Sequence, residues 1–197
     1  MNAHHKLLNQ AEQLVQEGNY RSAIALLEMA GRYDDPALAQ RLIELRIQAY
    51  PEMEWPQPHS NWPPVHDNRF GAVEGFPEIG ASDLDADALK AGIFGKGGLI
   101  VRGLMDSARM KTMRENIDRV LQARIDVSQG AESDAHTNPW YRRCASVQGG
   151  PTQFRGGERY TNVGSVWSVD SPPVTFQLIE YYREIGLPAL LTGYFGE

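Results

Sequence analysis

Residues 84–121 read LDADALKAGIFGKGGLIVRGLMDSARMKTMRENIDRVL, and three elements can be read from them. The spacing over the first dozen residues predicts a short helix. Ser82 or Asp83 stands as its N-cap, with further carboxylates in the first turn. Gly95, Gly97 and Gly98 then supply a turn, and Leu99, Ile100 and Val101 form a short apolar run stopped by Gly103, which predicts a buried strand. Asp106 or Ser107 caps the third element. Met110, Met113, Ile117, Val120 and Leu121 recur at three- and four-residue spacing, while Lys111, Arg114, Glu115, Asp118 and Arg119 fill the other side, so a long amphipathic helix is expected.

Downstream, residues 127–163 are rich in Gly, Ser, Asn and Pro, and a stretch of that length without regular structure is usually either functional or disordered. SVWSVDSPP at 165–173 alternates Val166 and Ser168 against Trp167 and Val169 and predicts one more strand. Pro173 opens a helix carrying Val174, Leu178, Tyr181, Tyr182 and Ile185. Gly186 stops it, and Pro188 starts another with Ala189, Leu190, Leu191, Tyr194 and Phe195 as its apolar face. That face runs almost to Glu197, which gives the expectation that these residues are the front part of a longer protein whose core is still being assembled.

Upstream, six of the 12 prolines (51, 56, 58, 63, 64 and 77) fall within residues 51–80. That density excludes a helix or a central strand. With Trp55 and Trp62 present, the segment is expected to lie along a domain surface as an extended strap; no PxxP with basic flanks marks it as a recognition ligand. Residues 4–49 predict three short helices. Leu7, Leu8, Ala11, Leu14 and Val15 line the first, Ala23, Ile24, Leu26, Leu27 and Ala30 the second, and Leu38, Leu42, Ile43 and Leu45 a third that begins near Pro36. GNYRSAIALLEMA at 18–30 resembles the centre of a tetratricopeptide repeat, with Gly18, Tyr20, Ala23, Ala30 and Pro36 near the positions that repeat needs. The Ala30 to Pro36 gap is one residue too long and there is one copy, whereas a repeat array needs about three to bury a continuous core. Two readings stand: a helical hairpin packed on its own chain or on a second subunit, or a peptide-binding module.

Composition removes several function classes. A net charge of −6 and a pI of about 5.4 leave no positive field for nucleic acid or an anionic membrane, and Arg142–Arg143 is the longest basic run. No apolar run reaches the length of about 18 residues that a membrane helix needs. The lone Cys144 excludes an intramolecular disulfide and fits a reducing cytoplasm. GIFGKGG lacks the Ser or Thr after the lysine that a phosphate loop requires, and its strand follows the glycines instead of preceding them. There is no GxGxxG, GxSxG or HExxH. Cys144 has no convincing histidine partner. Of His4, His5, His59, His66 and His136, the nearest approach to a metal pair is His66–Asp67. Adjacent residues of an extended chain point to opposite faces, so no metal site is expected.

With these elements in order, the stretch 84–121 resembles the opening of the phytanoyl-CoA dioxygenase-like family, which has a short helix, a turn, a strand ending in VRGL, a capping Asp or Ser, and a long amphipathic helix. VWSVDSPPVTFQLIEYYREIGLPALLTGYFGE at 166–197 is also similar to the stretch just upstream of that family's iron site. The resemblance covers about residues 82–197. It implies an Fe(II)/2-oxoglutarate-dependent oxygenase on a double-stranded β-helix, with iron held by an HxD pair and a distant second His. Those positions would lie beyond the segment matching LLTGYFGE, so the complete protein is expected to use Fe(II) and 2-oxoglutarate on a small-molecule substrate, and this chain alone to bind neither and to be inactive. The expected fold class is α+β. It comprises a tetratricopeptide-like helical module at 1–50, a Pro/Trp-rich linker at 51–81, and at 82–197 the helical and first-strand part of an incomplete jelly roll. In that setting the 127–163 loop would cover the barrel mouth, with Trp140, Tyr141 and Arg143 as substrate contacts; the same residues in a loop equally serve to pin it to the surface. Residues 4–49 are the expected surface for a homodimer or protein partner, nucleic acid and membrane are not expected partners, and the location is cytoplasmic. The alternative is a non-catalytic scaffold that uses the 1–50 module.

Overall fold

The computed structural model describes residues 3–30, 35–52, 63–129, 138–142 and 166–195. Among them are seven α-helices and one two-stranded sheet, a mostly helical α+β architecture. The chain groups into two compact units, one of Met1–Glu54 with Met113–Gln177 and one of Trp55–Thr112 with Leu178–Glu197.

In the first unit, α1 (Ala3–Gln16), α2 (Tyr20–Met29) and α3 (Pro36–Ala49) follow one another with sharp ends. Gly18 at φ +74° lets the chain leave α1 in the left-handed region, with its N–H on Val15 C=O and that of Asn19 on Leu14 C=O. Asn19 then caps α2 by accepting from Ser22 N–H at 3.2 Å. Asp35 caps α3 by accepting from Ala37 N–H at 2.8 Å, and Pro36 occupies the first helical position, where no N–H is needed. Ala11, Ala23, Leu27, Leu38, Leu42 and Leu45 are all 0% exposed. The two alanines are small enough for the backbones to approach while the leucines fill the remaining volume. Across the bundle, Arg41 of α3 makes a bidentate pair with Glu12 of α1 at 2.5 and 2.8 Å, and Arg46 of α3 pairs with Glu28 of α2 while lying over the Phe176 ring.

The second unit is built on a β–α–β succession: β1 (Glu78–Gly80), α4 (Ala86–Lys96) and β2 (Ile100–Arg102), with the strands parallel and Ile79 opposite Val101. The β1 residues fall at the end of the segment expected to be an extended linker, where Pro77 is fully buried and its carbonyl accepts from Ile100 N–H at 2.9 Å to open the ladder. One correction concerns the cap of α4. Ala81–Asp83 is a single 3-10 turn, and Asp85 is the cap, accepting from Ala88 N–H at 2.6 Å. Gly97 at φ +80° ends α4, and the N–H groups of Gly97 and Gly98 return to the carbonyls of Ile93 and Gly92.

Helix α5 (Ser107–Ser128) is capped by Asp106, which accepts from Arg109 N–H at 2.8 Å. The face expected to be buried is only partly so. Val120 and Ala123 are buried, but Met110 is 56% exposed, Ile117 44% and Leu121 40%. The strand expected at 165–173 is corrected too: Ser168–Asp170 forms a 3-10 turn, closed by Trp167 N–H on the Asp170 carboxylate and Asp170 N–H on Trp167 C=O. Pro172 then opens α6 (Pro172–Glu184), Gly186 at φ +72° stops it, and α7 (Leu187–Phe195) follows. Helix α7 packs on α4 through Tyr194, stacked on Phe94 at 5.7 Å, which in turn stacks on His66 at 5.9 Å.

Candidate functional site

Trp140 and Tyr141 sit in a short described stretch, residues 138–142, and Arg143 lies outside the described residues. Asn138 sets the geometry: its side-chain oxygen accepts from Trp140 N–H at 2.8 Å, folding the chain locally around Pro139. The Trp140 ring is half-buried, and the Arg119 guanidinium of α5 lies 5.1 Å from its centroid, within cation–π range. Tyr141 is buried, 7% exposed.

Sequence reasoning does not single out Arg142 as a contact residue, yet it ties this stretch to the start of α6. Its N–H donates to Asp170 C=O at 2.7 Å. Asp170 and Ser171 are both buried, at 4% and 1% exposure. Among the described residues, the Arg142 Nε and the Ser171 Oγ are buried without a hydrogen-bond partner. Pro172 and Pro173 carry no N–H, so the first turn of α6 offers the Ser171 hydroxyl fewer donors than a helix start ordinarily provides. The signal in the sequence is DSPP: two polar residues against a double proline mark a capped, buried helix start as readily as a strand end. Trp140, Arg119 and Arg142 are thus groups that stack on or attract planar and anionic partners, while Tyr141 is committed to packing.

Among the described residues, no three His, Cys, Asp or Glu side chains come together to hold a metal ion. Among the described residues, no helix is long and apolar enough to cross a membrane. The electrostatics otherwise belong to the framework. The Asp85 carboxyl is held below the usual carboxylate range, first by the Ala88 N–H and, against slight burial, by the nearby Arg69. Burial pushes the Tyr181 hydroxyl up, opposed by Arg109.

No protein-family model, no curated protein and no solved structure matches the chain.

Proposed function

We propose that residues 82–197 are the amino-terminal part of a cytoplasmic non-haem Fe(II)/2-oxoglutarate-dependent dioxygenase of the phytanoyl-CoA dioxygenase-like kind, built on a jelly roll. This chain holds no iron site of its own and has no oxygenase activity alone. The observation that carries the reading is the succession over 84–121: a helix stopped by a left-handed Gly97, the Ile100–Arg102 strand β2, and an Asp106-capped long helix, in the order the resemblance calls for. Fe(II), 2-oxoglutarate and a small-molecule substrate belong to the complete protein, and α1–α3 form an added module for dimerisation or docking.

The test is the reading frame and the native mass. An HxD encoded within a few tens of codons after Glu197, with an intact native mass well above 22.0 kDa, is the expected result. A stop codon after Glu197 with a native mass of 22.0 kDa refutes it.

A second reading, a non-catalytic binding protein, is favoured by one observation: α2 and α3 bury Leu27, Leu38, Leu42 and Leu45 completely, and α3 is cross-linked to α1 through Arg41–Glu12. The two readings differ in what they say of the second unit, where Phe76 is 60% exposed and Phe195 46%. The oxygenase reading expects a broad, dye-positive melt of the isolated chain. A sharp, dye-silent melt supports the binding protein.

A further inference from the structure

We draw no further inference here: the strongest candidate, the exposed apolar stripe of Ile117, Leu121 and Ile125 along α5, is an unpartnered helix face, and nothing in the structure shows what covers it.

Discussion

Two glycines of α4 provide a matched pair in which the same substitution should act with opposite sign. Gly92 and Gly95 both lie in the helix, and replacing either with alanine gains helix propensity of up to about 1 kcal/mol, somewhat less at Gly95 in the last turn. Their surroundings differ. A Cβ on Gly95 would meet only the His66 ring, at 3.7 Å, an ordinary contact. A Cβ on Gly92 would fall 2.7 Å from the Cβ of Leu99. Neither atom can rotate away, since both are fixed to the backbone, so α4 and the turn into β2 must separate. Overpacking of this kind costs about 1–3 kcal/mol, which meets or exceeds the propensity gain. Gly95→Ala is thus expected to raise stability, and Gly92→Ala to lower it by up to about 2 kcal/mol. Urea denaturation at neutral pH measures both. A cycle with Leu99→Gly isolates the contact, because Gly92→Ala should cost less in the Leu99→Gly background than in the wild type. Equal stabilisation by the two alanines would show that Leu99 does not close on Gly92, and the packing of α4 on the turn into β2 would be wrong.

Three further outcomes test other parts of the fold. Asp85→Ala should destabilise by about 1 kcal/mol through loss of the α4 cap, whereas Asp85→Asn should cost only a few tenths. Because the Asp85 carboxyl is held below its ordinary value, its ionised form stabilises the fold above about pH 4. That contribution is lost as pH falls through the lower folded value, so stability curves of wild type and Asp85→Asn should converge in acid; curves that stay parallel would contradict the sign. Leu42→Ala, at a 0% exposed position of α3, should cost about 2–5 kcal/mol in chemical denaturation, and a loss below about 1 kcal/mol would mean that the three helices do not share one core. For Arg41 and Glu12, with side chains 19% and 44% exposed, a double-mutant cycle should return a coupling of about 1 kcal/mol or less that shrinks as salt is raised. A coupling unaffected by salt would argue against an ion pair.

Most of the helical framework can be read from local chemistry. Gly18 and Gly97 stop helices at positive φ, Asp35–Pro36 starts one, and the apolar spacing of 36–49 marks residues that are in fact buried. The expectations that fail do so for physical causes. SDLDAD offers several carboxylates ahead of one helix, and only the fold of the preceding turn decides that Asp85 is the cap and Asp83 is not. Glu78–Gly80 is three residues long, too short to show alternation, and becomes a strand only because Ile100 N–H reaches back to Pro77. VWSV does alternate, but the Asp170 carboxylate takes the Trp167 N–H and closes a turn where a strand would need a partner.

Helix α5 shows the same limit at the level of a whole face. Periodicity identifies which side chains lie together; it does not say what covers them. Val120 and Ala123 are buried, while Ile117, Leu121 and Ile125, on a neighbouring side of the helix, remain at least 40% exposed. The candidate contact residues follow the same logic. Residue type points to Trp140 and Tyr141, and type alone does not separate a ring that packs from a ring that meets a charge. Tyr141 is buried, whereas Trp140 meets Arg119, 21 positions earlier in the chain, a pairing that no local spacing announces. Arg142 carries no local signal, because a basic residue in a loop is ordinary. Its interest arises only once Asp170 and Ser171 are brought beside it from the start of α6 and its Nε is left buried without a partner among the described residues. Elements are therefore legible wherever the determining atoms lie within a few residues of one another. The 138–142 stretch depends on contacts 20 to 30 positions apart, and for that reason its chemistry becomes readable only in three dimensions.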